Sequence, residues 1–240
     1  MQPLWPPSDR SAGAAGVPRW NNRVRKAGTQ NLLLASREAG VKRFIQQSSA
    51  YWYSPSIANG RPVREEHPLY TEAPGPIGPA VKTMQEVEEM VRDSGMEAVI
   101  LRYGMFYGPG TWYDAAGDVE QQMRKRMYPI IGKGEGVFSF VHIDDAADAT
   151  VKALTATPGT YNVVDDEPAT MAEWMPVFAE ALRAKKPMKA PRPMAILAAG
   201  KAPVQWMESL KGADNSRAKR GLGWQPQYRT WRHGFYEALR

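Results

Sequence analysis

The sequence predicts an α/β fold: an incomplete parallel sheet with helices on both faces, followed by a small helical C-terminal lobe. Three observations predict it. Apolar residues recur at helical spacing in several segments. Short continuous apolar runs such as Ala98-Val99-Ile100-Leu101 stand between those segments, the form a strand takes when both sheet faces are covered. Helical and strand patterns alternate along the chain, as parallel pairing requires.

Residues 1–20 hold Pro3, Pro6, Pro7, Pro18 and a run of small residues with no period of 2 or 3.6, so a flexible N-terminal arm is expected there. From Asn21 the pattern changes. Val24, Gly28, Leu32, Ala35 and Ala39 recur at helical spacing, and Gly40 is placed to end the helix in a left-handed turn. Val41 to Gln47 then reads as a strand. A proline-rich loop from Pro55 to Pro79 leads to a second helix with Val81, Met84, Val87, Met90 and Val91 on one face, stopped by Asp93-Ser94-Gly95. A further helix is expected from Asp144 and a strand over 161–164. Thr170-x-x-Glu173 forms a capping box for a helix through Leu182. These elements divide into an α/β domain over 21–164 and a substrate-side lobe over 165–240.

The chemistry is bounded by what is missing. With no cysteine, disulfides, thiolate nucleophiles and sulfur-bound zinc are excluded. His67, His142 and His233 lie far apart with no metal-ligand spacing, so no metal is expected. The net charge of +6 raises nucleic acid as a partner, but the basic clusters Arg124-Lys125-Arg126, Arg183 to Lys189 and Arg217 to Arg220 accompany no nucleic-acid motif. No apolar run approaches the roughly 20 residues of a membrane span, and no secretory signal opens the chain. The expectation is a cytoplasmic protein with a small-molecule substrate and neither nucleic-acid nor membrane partner.

Several stretches, in this order, resemble landmarks of the extended short-chain dehydrogenase/reductases, the NAD-dependent epimerase/dehydratase group. Gly28-Thr29-Gln30-Asn31-Leu32-Leu33 is similar to the GTxNLL helix, and Gly40 to Phe44 to the GVKRF strand entry. Ser48-Ser49-Ala50-Tyr51-Trp52-Tyr53 resembles SSAxxY, and Leu101-Arg102-Tyr103 through Tyr107-Gly108-Pro109-Gly110 resembles LRxxxxYGPG. Phe140 to Ala147, Tyr161-Asn162-Val163, Asn215 to Lys219 and Leu222-Gly223-Trp224-x-Pro226 complete the series. The resemblance implies a Rossmann-like sheet and an active cleft at its carboxyl edge.

Two departures bear on function. The family's strand, glycine fingerprint and helix, which hold the pyrophosphate, have no counterpart; Gly13 and Gly16 follow no strand. An incomplete Rossmann-like sheet is therefore expected, with no tight cofactor, NAD(P) being implied by resemblance alone and no residue assigned to it. Exposed strand edges and apolar patches need cover, so a homo-oligomer is expected. The family's catalytic pair is Tyr-x-x-x-Lys. Lys82 stands at the lysine position, but Gly78 stands four residues before it, and Tyr70 is too distant in sequence to substitute.

The candidate catalytic residues are Ser49, Lys82 and His142. Ser49 matches the serine that hydrogen-bonds the substrate oxygen in the family; capping the next turn is its alternative. Lys82 is equally readable as a solvated helix lysine, and His142 as a satisfied residue on a buried strand. The candidate substrate-binding residues are Tyr51, Trp52, Tyr103, Tyr107, Trp112, Asp114 and Glu120. The aromatics, with Tyr53, Phe106 and Tyr113, form a wall for a sugar or another flat ligand if both strands end at one edge; packing beneath a cover is the alternative. Three functions compete: an epimerase/dehydratase-like enzyme on a small, sugar-like substrate; a cofactor-independent hydrolase or lyase, for example on glycosides, at the cleft near Ser49, Tyr107 and His142 with Asp114, Asp118 and Glu120 as candidate acids or bases; and a non-catalytic binding protein.

Overall fold

The computed structural model describes residues 16–57 and 60–239. Helix α1 spans Gly16–Glu38, strand β1 Arg43–Ser49, helix α2 Ile77–Arg92 and strand β2 Glu97–Tyr103. There follow β3 (Met105–Tyr107), α3 (Asp118–Arg124), β4 (Ile130–Ile131), β5 (Val137–Phe138) and β6 (Phe140–His142). The chain returns through α4 (Ile143–Lys152) and β7 (Gly159–Val163). The remainder is β8 (Ala169–Thr170), α5 (Met171–Ala181), β9 (Lys189–Ala190), α6 (Arg192–Ala199), α7 (Lys201–Ser209), α8 (Ser216–Gly221) and α9 (Trp231–Ala238).

The main sheet has three parallel strands in the order β1-β2-β7, as the alternating pattern predicts. Side chains of β2 alternate between two helical layers. Ala98 and Ile100 pack with Leu33 of α1 and Val91 of α2. Val99, Leu101 and Tyr103 face Ala146 and Ala149 of α4, Ala153 just past its end, and Ala218 of α8. Helices thus cover both faces. Local stops lie where the turn chemistry places them: Gly40 (φ +68°) and Gly95 (φ +78°) follow α1 and α2 in the left-handed region. The capping box at α5 is formed, with Glu173 Oε2 accepting from the Thr170 backbone N–H at 2.8 Å.

Helix α1 departs from expectation in two ways. It begins at Gly16, so residues 16–20 are helical rather than part of an arm, while residues 1–15 of that expected arm lie outside the described residues. Pro18 is tolerated because the first-turn amides of a helix have no intrahelical partner. Its buried stripe is also shifted by one position. Val24 and Leu32 are exposed, and Thr29 and Leu33 face inward instead. The helix meets the molecule along a narrow face on α2 and the sheet, which leaves Trp20, Val24, Leu32 and Leu34 as apolar surface. Among the described residues β1 pairs only with β2.

A second core lies beside the sheet, built around the parallel pair β3–β6 and the helices α5 and α9. Phe140, Trp174, Phe178, Trp231 and Phe235 are wholly buried there, each of a kind whose truncation to alanine costs about 3–5 kcal/mol. The packing does not divide at residue 165. Tyr107, Tyr113 and Met123 belong to this aromatic core, while Leu222 and Trp224 return to the sheet. No helix among the described residues is long and apolar enough to cross a membrane, and no group of three or more metal-ligand side chains gathers among them.

Candidate functional site

Parallel strands end at one edge, and here Ser49, Tyr103 and Val163 form one row across β1, β2 and β7. Past Ser49 the chain turns away from the sheet and places three consecutive aromatics differently. Trp52 is buried against Val81 and Met84 of α2. Tyr53 turns inward, its hydroxyl donating to Asn162 Oδ1 at 2.7 Å and accepting from Arg102 Nη1 at 2.9 Å. Tyr51 stays half-buried at the edge, with Trp52 at 6.0 Å and Trp206 of α7 at 6.1 Å between ring centroids, both edge-on.

Helix α7 reaches this edge because the loop before α2 lets it approach. A Cβ on Gly75 would lie 2.8 Å from Ala202 Cβ, and Gly75 holds φ +62°, so only glycine suits this contact. The lobe closes the other side through Tyr113, with Tyr51 and Tyr128 packed against the same aromatic core. Burial pushes the Tyr51 phenol up to about 12, against the opposing pull of the Ser49 hydroxyl and the Arg25 charge. Tyr51 therefore remains a protonated donor beside Ser49.

The position four residues before Lys82 is closed. A Cβ on Gly78 would sit 2.5 Å from Ala73 O and 2.8 Å from Thr71 O, both backbone atoms. The loop Thr71–Ala73 thus fills the space into which a tyrosine there would project. Lys82 is exposed on α2, and no carboxylate among the described residues pairs with it.

Other candidates are committed to structure. The His142 side chain caps α4, its Nδ1 accepting from the Asp144 N–H at 3.2 Å, while its ring stacks on Tyr228 at 3.7 Å. Burial lowers its pKa despite the nearby Asp144 and Asp145, so it stays neutral with the remaining proton on Nε2. Tyr103 points to α4, where its hydroxyl meets Thr150 Oγ1 at 2.6 Å. Tyr107 is wholly buried in the aromatic core, its hydroxyl without a partner among the described residues. Trp112 is half-buried against the same core. Asp114 holds a turn, accepting from Gly110 N at 2.8 Å and Ala115 N at 2.5 Å. Glu120 is buried and paired with Arg124.

Of the sequence candidates, then, the structure brings Ser49, Tyr51 and Trp52 together. It commits His142, Tyr103, Tyr107, Asp114 and Glu120 to caps, cores, turns and ion pairs. Sequence reasoning missed Trp206, Tyr128 and Arg25. Arg25 alone carried a local signal, since it lies four and eight residues before the inward-facing Thr29 and Leu33.

Comparison with known proteins agrees with this architecture. The model of the NAD dependent epimerase/dehydratase family matches residues 11–163. A 3-diazoavenalumate denitrifying reductase from Streptomyces sp is 39% identical over 215 residues, covering 88% of this chain and 70% of the relative. The chain belongs to the NAD-dependent epimerase/dehydratase family. A UDP-glucose 4-epimerase from Vibrio cholerae is 28% identical over 88% of this chain and 66% of its own length. An uncharacterized Sinorhizobium fredii relative, also 28% identical, is spanned over only 54% of its length. Among solved structures, the human epimerase family protein SDR39U1 with NADPH superposes with a TM-score of 0.74 at 22% identity, over 91% of this chain and 72% of that one. DesIV, a dTDP-glucose 4,6-dehydratase from Streptomyces venezuelae with NAD and TYD bound, gives 0.72 at 22% identity, over 97% and 68%. These two establish the likeness of fold.

The family implies a dinucleotide, but the described residues do not fit its pyrophosphate. That group needs a strand running through a glycine turn into a helix N-terminus. The direct strand-to-helix junctions here are β6 to α4, capped by His142, and β8 to α5, capped by Thr170; neither contains glycine.

Proposed function

We propose that this chain forms the substrate-binding side of a family enzyme that acts on a small aromatic molecule, of the reductase rather than the nucleotide-sugar kind. The observation that carries the proposal is the aromatic pair at the sheet edge, where Tyr51, beside the Ser49 hydroxyl, packs edge-on against Trp206 at 6.1 Å between ring centroids. Edge-on aromatics suit a flat ring, and two hydroxyl donors suit an oxygen substituent on it. The reductase relative, at 39% identity, is named for 3-diazoavenalumate, and it resembles this chain more than the 28% identical epimerase does. The closed position at Gly78 supports the same reading, because chemistry that moves a proton on and off a sugar hydroxyl at that point has no phenol to use. Asp114 and Glu120, the carboxylates that glycoside hydrolysis requires, are committed to a turn and an ion pair.

Within this reading Ser49 and Tyr51 bind and orient the substrate oxygen, and Trp206 sets the plane of the ring. Titration of tryptophan fluorescence with 4-hydroxycinnamate tests it. The expected result is saturable quenching that Trp206→Ala weakens about tenfold, the loss of one good aromatic contact. Unsaturable quenching, or full affinity in the variant, would overturn the assignment.

A further inference from the structure

Helix α1 delivers to the same edge a cation that the aromatic slot leaves unexplained. Arg25 is exposed, one and two turns before the buried Thr29 and Leu33, and its guanidinium Nη1 reaches Met84 Sδ at 3.2 Å. Met84 packs beneath Trp52, and Tyr51 lies against the same cluster. The guanidinium is thereby close enough to Tyr51 for its charge to favour the ionised phenol. A thioether is a weak acceptor, so most of the guanidinium fork remains without a strong partner. The neighbouring Lys26 differs: its Nζ meets Glu86 Oε2 at 2.8 Å. No carboxylate among the described residues pairs with Arg25.

We propose that Arg25, together with the hydroxyls of Tyr51 and Ser49, forms an anion subsite that holds a carboxylate on the aromatic substrate. The subsite rests on the aromatic slot proposed above. Its chemistry is that of the planar guanidinium, which matches a carboxylate with two parallel N–H donors and stays charged at every physiological pH. Tyr51 adds a neutral donor, because its pKa of about 12 keeps the phenol protonated. Ring and carboxylate then bind at two points, the ring against the Tyr51–Trp206 pair and the anion toward α1, which fixes the orientation of the molecule along the edge of β1.

The test compares 4-hydroxycinnamate with its uncharged amide, on the full chain and on Arg25→Met and Arg25→Lys. Methionine keeps the apolar stem against Met84 and removes the charge. The wild-type chain is expected to prefer the acid over the amide by about tenfold or more. Arg25→Met should weaken the acid about tenfold to a hundredfold and leave the amide unchanged, while Arg25→Lys recovers part of the loss. Equal affinity of the wild-type chain for acid and amide, or an equal loss of both in Arg25→Met, overturns the subsite and leaves the aromatic slot standing. Failure of both probes to bind the wild-type chain overturns the slot and the subsite together. Thermal melting of each variant separates a binding loss from a loss of fold.

Discussion

One turn of α2 separates Met84 from Glu88, and each meets an arginine in a different way. Arg102, rising from β2 inside the sheet layer, is held by four hydrogen bonds. Its Nε and Nη2 donate to Glu88 Oε1 and Oε2 at 2.9 and 2.6 Å, and its Nη1 donates to Tyr53 Oη at 2.9 Å and Glu65 O at 3.1 Å. Glu88 is in turn completed by Ser48 Oγ, which donates to Oε1 at 2.6 Å, and by Arg92. Arg25, one turn nearer the sheet's carboxyl edge, meets only a thioether. The contrast shows how this fold separates two uses of charge. Between sheet and helices the Arg102 charge is matched by Glu88, because an unpaired buried charge is costly; at the edge Arg25 meets no carboxylate among the described residues.

The largest expected effect breaks the Arg102 side. Glu88→Gln leaves the Arg102 guanidinium, only 5% exposed, without its counter-charge and should cost about 3–5 kcal/mol in urea denaturation. Arg25→Met should cost under about 1 kcal/mol, as a mostly exposed substitution does. Comparable losses in the two variants would erase the distinction. The same pair has a pH signature. Burial alone would raise the Glu88 carboxyl, but the hydrogen bonds and charge of Arg102, with Ser48, hold it below its ordinary 4.5. The unfolded chain therefore takes up the proton first as pH falls. The stabilisation is complete above pH 4.5 and is lost as pH drops through the lowered native value. Glu88→Gln should flatten that acid limb of a stability-against-pH curve.

A smaller effect is expected where the edge is closed rather than open. Gly78→Tyr must displace the backbone of Thr71–Ala73 and should cost about 1–3 kcal/mol in melting or urea experiments. An unchanged midpoint would mean that the loop yields freely and that the position is available to a phenol. The smallest effect sharpens the slot itself. Tyr51→Phe keeps the ring between Trp52 and Trp206 and removes one donor, so stability should shift by no more than about 1.5 kcal/mol. Binding of 4-hydroxycinnamate should weaken about tenfold by the same titration.

Much of the scaffold was legible because it depends on local chemistry. The glycine stops at Gly40 and Gly95, the capping box at Thr170 and the apolar run of β2 are decided by residues within a few positions of one another. The inward face of α1 was not. Leu32, Leu33 and Leu34 are consecutive, so they spread over about 200° of the helix surface, and hydrophobicity alone cannot choose among them. The structure chooses Leu33, and the exposed Arg25 two turns earlier lies on the side of Met84. The site was half legible for a related reason. Ser49 and Tyr51 are placed by the end of a strand, which sequence marks well. Trp206 reaches them only through packing between distant segments, and the role of His142 as a cap depends on a ring orientation that no spacing encodes.

Substrate binding against Tyr51 and Trp206 at the end of β1 is tested directly by the tryptophan indole N–H signals. With the Trp206 resonance assigned by comparison with Trp206→Phe, 4-hydroxycinnamate is added in a heteronuclear NMR titration. The account predicts a saturable shift of the Trp206 indole signal while those of Trp174, Trp224 and Trp231, buried in the two cores, stay in place. A stationary Trp206 signal beside shifts at the buried indoles would contradict it.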